Sequence, residues 1–156
     1  MKRIQLLDKE FGLSIPASDI KRAVWTMAEK INRDLKDKNP LMVCILNGSF
    51  MFSADLMKLI SFPCQISFVK LASYEGLGTT GMVKELIGFN EELKGRTVVL
   101  LEDIVDTGIT VENSVRQLKE TGASEVIVAT LLFKPEACKR DVKLDYVGLE
   151  IPNDFI

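Results

Sequence analysis

The chain has 156 residues, 47% of them apolar and 27% charged, a size and balance that predict one soluble globular domain over residues 1–156. Its formal net charge of −2 gives no overall basic field for a nucleic-acid backbone, and the lack of histidine excludes a histidine-based zinc site and a Ser-His-Asp triad. No apolar run approaches the roughly 20 residues that cross a bilayer, and the first residues lack the apolar stretch of a signal peptide, so we expect a cytoplasmic protein that does not bind membranes.

The first half of the chain predicts a helix, a buried strand and a second helix. Apolar residues recur at helical spacing over 20–35, and either Ser18 or Asp19 is suited to cap that helix. Residues 41–46 form a continuous apolar run, which is typical of a strand covered on both faces. An Asn-Gly-Ser turn then precedes a second predicted helix over 50–60.

The second half continues the alternation of strands and helices. Residues 73–88 are rich in Gly and Thr and have weak periodicity, which predicts a long surface loop, with or without hairpin arms, of the kind that often forms a functional lid. Val111, Val115 and Leu118 mark one face of a helix that Gly122 closes. The alternation predicts an α/β fold, a parallel sheet flanked by helices, with ligands beyond the carboxyl ends of the strands. The predicted strands of this half are 65–71, 97–101, 125–133 and 144–149.

The segment Val98-Val-Leu-Leu-Glu-Asp-Ile-Val-Asp-Thr-Gly-Ile-Thr110 carries the most informative pattern. Glu102 and Asp103 follow a buried run, and their carboxylates can accept hydrogen bonds from ribose hydroxyls, directly or through a bound Mg²⁺ ion. The next turn brings backbone N–H groups and the hydroxyls of Thr107 and Thr110 to a helix N-terminus, which favours an anion. Gly108 lets the backbone approach a phosphate closely. The segment therefore suits a sugar phosphate.

This pattern resembles the phosphoribosyl pyrophosphate motif of type I phosphoribosyltransferases, and the similarity continues over nearly the whole chain. Leu46-Asn-Gly-Ser49 resembles the pyrophosphate loop, and residues 71–83 resemble the flexible catalytic loop. Residues 131–135 and 145–156 resemble the base-recognition parts of the hypoxanthine-guanine members. The resemblance implies a parallel sheet flanked by helices, a small hood from the N- and C-terminal segments, and a flexible lid loop at about 73–88.

The resemblance also implies a reaction and its partners. The chain would condense hypoxanthine or guanine with phosphoribosyl pyrophosphate, giving IMP or GMP plus pyrophosphate, in the purine-salvage manner and with Mg²⁺ as cofactor. Its partners would then be a purine base, phosphoribosyl pyrophosphate and a purine nucleotide. Members of the family are homo-dimers or homo-tetramers, and we expect the same of this chain.

The resemblance also implies roles for individual residues. Asp106 matches the general base that acts at purine N7, although the same residue could also cap the following helix. Lys134 matches the donor to the 6-oxo group, Phe155 the aromatic that stacks on the base, and Glu102 with Asp103 the ligands of Mg²⁺. The ribose- and phosphate-binding set is Glu102, Asp103, Asp106, Thr107, Gly108, Ile109 and Thr110. The purine-binding set is Lys134, Ile104, Phe155 and Ile156.

Two further loops complete the implied site. Asn47 and Gly48 would bind pyrophosphate through their backbone N–H groups, and a cis peptide is predicted at Leu46-Asn47, as in relatives. Ser73 and Tyr74 of the lid would close over the site and exclude water.

Some positions depart from the family, and two alternatives stay open. Asn47 stands where many relatives have lysine, and Ile109 where several have a basic or polar residue. The family's aspartate for a second Mg²⁺ and its arginine for pyrophosphate come after the Phe155-Ile156 pair that ends this sequence. The alternatives are a phosphoribosyltransferase for xanthine or another base, and a non-catalytic regulator of the same fold. A Rossmann dinucleotide binder is disfavoured, because no G-x-G-x-x-G follows the first strand.

Overall fold

A computed structural model describes residues 3–75, 82–88 and 90–154, and for 72–75 and 82–87 it describes the backbone alone. The N-terminal residues form an antiparallel hairpin of two largely exposed strands, β1 (Arg3–Leu6) and β2 (Lys9–Gly12). The sequence analysis did not predict these strands, because each is too short to establish a period. The hairpin lies outside the main sheet, and its assignment to a hood stays a prediction.

The main sheet has six strands, of which five run parallel. They are β3 (Leu41–Leu46), β4 (Gln65–Glu75), β5 (Met82–Ile87), β6 (Thr97–Val105), β7 (Glu125–Phe133) and β8 (Tyr146–Glu150). Their order across the sheet is β5-β4-β3-β6-β7-β8. Among the strands that the structure describes in this sheet, only β5, at one edge, runs antiparallel to its neighbour. The carboxyl ends of the parallel strands therefore share one edge of the sheet.

Helices cover both faces of this sheet, which confirms the predicted α/β class. Helices α1 (Ala17–Leu35) and α2 (Phe50–Met57) pack on one face and α3 (Ile109–Glu120) on the other. In β3, Met42 joins the core under α1 and α2, whereas Leu41 and Val43 join the core under α3. This alternation explains why β3 is apolar at every position. Among the described residues no helix combines the length and apolar character needed to span a membrane.

The first helix begins earlier than its predicted caps. Pro16 is the N-cap, and no side chain caps the helix, so the prediction of Ser18 or Asp19 as N-cap is wrong. The carbonyl of Pro16 accepts the backbone N–H of Asp19 at 2.9 Å and that of Ile20 at 3.3 Å. Ser18 and Asp19 therefore already lie inside the first helical turn, where a residue cannot be the N-cap.

Helix α2 is shorter than predicted. It ends at Met57 rather than at residue 60, because Leu59 and Ile60 donate to carbonyls three residues back and form tight turns. The last strand begins two residues later than predicted. Asp145, just before it, donates its N–H to the Val128 carbonyl and accepts the Val128 N–H with its carboxylate, so it pairs with β7 through a side chain.

Two strands are longer than their apolar runs. Strand β6 continues to Val105, so the acidic pair lies within the strand rather than after it. Strand β4 continues to Glu75 and pairs with β5 as a hairpin, so the arms of the segment predicted as a lid are regular strands. Residues 76–81 between them lie outside the described part of the chain. In both strands the segment beyond the run includes polar residues, and ladder hydrogen bonds maintain the strand there.

Candidate active site

The site lies where β3, β6 and β7 end, because these three neighbours are parallel. The register pairs Val105 of β6 with Phe133 of β7, the last residues of both strands. Asp106 and Lys134, which follow them in the sequence, are therefore brought side by side. The Lys134 N–H donates to the Val105 carbonyl at 2.9 Å and continues the ladder by one more bond.

Lys134 is buried, and its partner is the carboxylate of Asp106. Its relative exposure is 7%, and its Nζ lies 3.7 Å from Asp106 Oδ2, whose side chain is 51% exposed. A buried ammonium is unfavourable unless an opposite charge and hydrogen-bond acceptors compensate it. A carboxylate at 3.7 Å supplies the charge but not a short hydrogen bond, so the ammonium keeps donor capacity for a further acceptor at this edge.

The acidic pair presents one buried and one partly exposed carboxylate. Glu102 is 8% exposed, and within the described structure its Oε2 has no hydrogen-bond partner. Burial, followed by the adjacent negative charge of Asp103, raises the pKa of the Glu102 carboxyl to about 8. Asp103 Oδ1 accepts the N–H of Ile104 at 2.9 Å. A cation would satisfy the buried oxygen and offset the repulsion between the two groups.

The pair is suited to a cation that takes only some of its ligands from protein. Among the described residues no cluster of three or more His, Cys, Asp or Glu side chains forms a metal site. Mg²⁺ commonly binds one or two carboxylates and completes its shell with water and substrate phosphates. Glu102 and Asp103 fit such an ion.

The loop after β3 passes directly over Asp103. The peptide Leu46-Asn47 is cis, as predicted. A Cβ placed on Gly48 would overlap Asp103 Oδ2 and lie 2.8 Å from its Cγ, so a larger residue here would require the Asp103 carboxylate or the loop to move. Ser49 anchors the loop from below: it is fully buried, and its Oγ donates to the Ile45 carbonyl at 2.5 Å. Asn47 and Gly48 are exposed at the same strand edge as the acidic pair.

The turn after β6 is capped by glycine. Gly108 is the N-cap of α3 and has a left-handed backbone with φ 82°, so Asp106 is not the cap of this helix. Thr107 Oγ1 accepts the N–H of Ile109 at a long 3.5 Å, and Thr110 is half-buried in the first helical turn. The first N–H groups of a helix have no partner within it, and they point toward any anion bound at this turn.

A segment that the sequence analysis missed packs against this turn. A Cβ on Gly108 would lie 3.0 Å from Cys138 Sγ and 3.1 Å from Arg140 Cβ. The N–H of Lys139 donates to the Thr107 carbonyl at 3.0 Å. Residues 134–145 have no periodicity, so no pattern in the sequence indicates this contact.

The structure brings the residues of β3, β6 and β7 together but leaves part of the predicted purine site undescribed. Ile104 is half-buried in β6, opposite Leu132 of β7. Ser73 and Tyr74 lie in β4, where the structure describes the backbone but not the side chains. Phe155 and Ile156 lie outside the described residues, so their roles stay predictions.

A cavity of about 470 Å³ lies elsewhere, between α3, β7 and residues 141–143. Valines form its apolar walls, and its lining shares no residue with the edge where Asp106 and Lys134 meet. Ligand sites in parallel α/β sheets form beyond the carboxyl ends of the strands. The strand-end site, rather than this cavity, is therefore the candidate for the chemistry.

Comparisons with known proteins agree on one family. Residues 16–156 match the profile described as "Phosphoribosyl transferase domain". The hypoxanthine-guanine phosphoribosyltransferase of Streptococcus pyogenes is 38% identical over 140 residues, which cover 89% of this chain and 78% of that protein. The enzyme of the same name from Streptococcus thermophilus is 39% identical over 140 residues, with 88% and 77% covered.

Solved structures give the same result for the fold. A hypoxanthine-guanine phosphoribosyltransferase from Bacillus anthracis superposes with a TM-score of 0.80 at 30% identity, covering 93% of this chain and 84% of that one. A hypoxanthine phosphoribosyltransferase from Staphylococcus aureus gives a TM-score of 0.76 at 30% identity, with 88% and 76% covered.

Proposed function

This chain belongs to the phosphoribosyl transferase domain family, and from that membership we propose that it is a purine-salvage transferase. It condenses hypoxanthine or guanine with phosphoribosyl pyrophosphate to give IMP or GMP plus pyrophosphate. One observation carries the proposal: an acidic pair, a glycine-capped helix N-terminus and a buried lysine paired with an aspartate converge on a single sheet edge. Each suits one part of a purine nucleotide.

The turn at 106–110 binds the 5′-phosphate. Backbone N–H groups at the start of α3 and the hydroxyls of Thr107 and Thr110 donate to the phosphate oxygens, and the positive end of the helix dipole favours the anion. Ile109 contributes through its backbone, so its apolar side chain does not weaken the turn. Gly108 adopts a left-handed backbone conformation at the start of the helix, which side-chain-bearing residues rarely do.

The acidic pair binds the ribose hydroxyls and is the site for Mg²⁺. Glu102 and Asp103 would hold the ion, and when bound it supplies positive charge that neutralises the pyrophosphate leaving group. We expect that Glu102→Gln weakens Mg²⁺ binding in the presence of phosphoribosyl pyrophosphate, as measured by calorimetry. Binding as tight as in the unaltered protein would contradict the assignment.

Asp106 and Lys134 act on the purine. The glycosidic nitrogen of the base forms a bond to ribose C1 as the C1–O bond to pyrophosphate breaks, and the proton at N7 passes to the Asp106 carboxylate. Lys134 donates to the 6-oxo group, and burial fixes its ammonium at the depth of the base. Ile104 and Phe155 would enclose the ring, and the Ile156 backbone would read its edge.

The loops after β3 and β4 complete the cycle. Asn47 and Gly48 bind pyrophosphate through backbone N–H groups, and the close approach of Gly48 to Asp103 supports a position for that loop beside the proposed metal ion. Ser73 and Tyr74 close over the bound substrates, because water would otherwise compete for the ribose carbon.

Steady-state assays of pyrophosphate release test the substrate class. We expect turnover with hypoxanthine or guanine, and parallel assays with xanthine, adenine and a pyrimidine define the specificity. A preference for adenine or a pyrimidine would contradict the role of Lys134, because those bases do not present a 6-oxo purine acceptor. Absence of turnover with every base, with nucleotide still bound, would favour the regulator.

The chain works as a homo-dimer or homo-tetramer in the cytoplasm. Trp25, Phe50 and Met51, on α1 and α2, are 56%, 52% and 67% exposed. Exposed apolar surface of this kind is typical of a contact between subunits. All three cysteines are unpaired, as in proteins of reducing compartments. Light scattering with Trp25→Lys and Met51→Lys tests the assembly, and a monomeric unaltered protein would contradict it.

A net charge of −2 argues against nucleic acid as a partner.

A further inference from the structure

Residues 134–142, here called the strap, run along the phosphate turn at 106–110. The strap begins where β7 ends, and the Lys134 N–H bonds to the Val105 carbonyl at 2.9 Å. It then closes on itself, because the Cys138 N–H donates to the Lys134 carbonyl at 3.2 Å. The Lys139 N–H donates to the Thr107 carbonyl at 3.0 Å, so the strap bonds directly to the turn.

The strap also packs against the glycine of the turn. The space that a Cβ on Gly108 would need is bounded by Cys138 Sγ at 3.0 Å, Arg140 Cβ at 3.1 Å and Val142 Cγ2 at 3.4 Å. The Cys138 thiol lies 3.4 Å from the Arg140 carbonyl and fixes the bend between them. The base of the Arg140 side chain therefore touches the turn.

The charged end of Arg140 reaches the first turn of α3. Its Nε lies 3.4 Å from Glu112 Oε2, and both side chains are about half exposed. The Glu112 N–H donates to the Gly108 carbonyl at 3.0 Å, so Glu112 sits on the same helical turn that presents free N–H groups to a phosphate. A carboxylate at this position interacts favourably with the helix dipole when no ligand is bound, but it repels a bound phosphate dianion.

We propose that Arg140 is a positioning residue for the 5′-phosphate, because it neutralises Glu112 and holds the strap against the phosphate turn. The inference rests on the proposed function, which places a phosphate at this turn. Arg140 does not touch the substrate; it acts through Glu112 and through Gly108. Solvent-exposed ion pairs add little to folding stability, so its effect falls on anion binding.

Binding of IMP and of inosine separates this role from a structural one, because the two ligands differ only in the phosphate. We expect Arg140→Gln to weaken IMP binding about three- to tenfold, with inosine binding and the melting temperature unchanged. Arg140→Lys keeps most of the affinity, since the charge remains. In the double variant Glu112→Gln/Arg140→Gln most of the IMP affinity returns, because the repelling carboxylate is gone.

Kinetics give a second readout. Arg140→Gln raises the KM for phosphoribosyl pyrophosphate by the same factor and leaves kcat and the KM for hypoxanthine unchanged. The loss shrinks as salt is raised, because the interaction is screened. Arg116→Gln is the matched control: Arg116 lies on α3, 4.0 Å from Glu120, one turn beyond Glu112.

Each outcome decides one claim. If Arg140→Gln weakens the binding of inosine and of IMP equally, the role of Arg140 is overturned while the proposed function stands. The same holds if the double variant binds IMP as weakly as Arg140→Gln alone. If the unaltered protein binds IMP no better than inosine, the phosphate turn itself is wrong, and the proposed function falls with it.

Discussion

Lys134 Nζ lies 3.7 Å from Asp106 Oδ2, so a buried cation and a half-exposed carboxylate meet where two parallel strands end. The register of β6 and β7 produces this meeting, since it aligns Val105 with Phe133 and therefore the residues that follow them. A purine base bound here would lie beside both a hydrogen-bond donor, the Lys134 ammonium, and a proton acceptor, the Asp106 carboxylate. The pair is the centre of the proposed chemistry.

Removing the carboxylate of Asp106 should stop turnover but not binding. We expect Asp106→Asn to lower kcat about 10²- to 10⁴-fold, because asparagine keeps the shape but cannot accept the N7 proton. IMP binding should stay within about threefold, since the phosphate turn is untouched. Asp37→Asn, at an exposed aspartate after α1, is the control. Turnover above a tenth of the normal rate would remove Asp106 from the base role.

Neutralising Lys134 should weaken purine binding without lowering the stability of the fold. For Lys134→Gln we expect the KM for hypoxanthine to rise about tenfold, because an amide donor is weaker than an ammonium to a desolvated carbonyl. The melting temperature should not fall, since the buried charge is itself unfavourable. Lys36→Gln, just after α1 and exposed, provides the comparison. An unchanged KM would mean that Lys134 serves only as the partner of Asp106.

A methyl group on Gly48 should disturb Asp103. In Gly48→Ala the new Cβ overlaps the carboxylate, so either the loop or Asp103 must move, at a cost of about 1–3 kcal/mol. We expect kcat/KM for phosphoribosyl pyrophosphate to fall at least about tenfold. The matched control is Gly12→Ala, where a Cβ would meet no atom within 4 Å. Equal activity of the two variants would show that the loop is not required in its observed place.

Tyr146 gives a pH-dependent prediction that is independent of the site. Its hydroxyl donates to Asp34 Oδ2 at 3.1 Å, and burial, followed by this hydrogen bond, raises the pKa of Tyr146 to about 12 from its ordinary value of 10. Because the folded-state pKa is the higher one, the stabilisation is complete below pH 10 and is lost as the pH rises from 10 to 12. The bond between α1 and β8 should therefore weaken only in alkaline solution.

Urea unfolding of Tyr146→Phe checks this sign. At pH 8 the variant should be less stable than the unaltered protein by about 1 kcal/mol. The difference between the two should narrow between pH 10 and pH 12, because the unaltered protein alone loses the contribution of the tyrosine. A difference that stays constant over that interval would contradict the assignment of the raised pKa to folding.

Much of the fold followed from local pattern. Strands β3 and β7 begin and end at the predicted residues, because strands covered on both faces are nearly continuous apolar runs. The cis peptide at Leu46-Asn47 came from the resemblance to the family, and the structure confirms it. The N-terminal hairpin was missed, since strands of four residues carry no readable period.

The sequence by itself determined which groups are the candidates for the chemistry: the acidic pair and the Asp-Thr-Gly turn lie in one contiguous segment whose local chemistry suits a sugar phosphate, and the lysine after β7 was identified by the resemblance to the family. Only the tertiary structure decided which of these groups are buried and what they touch. Glu102 is enclosed, Gly48 lies over Asp103, and Arg140 reaches Glu112. Such contacts join residues from separate elements, and they depend on the order and register of the strands, which no single segment encodes.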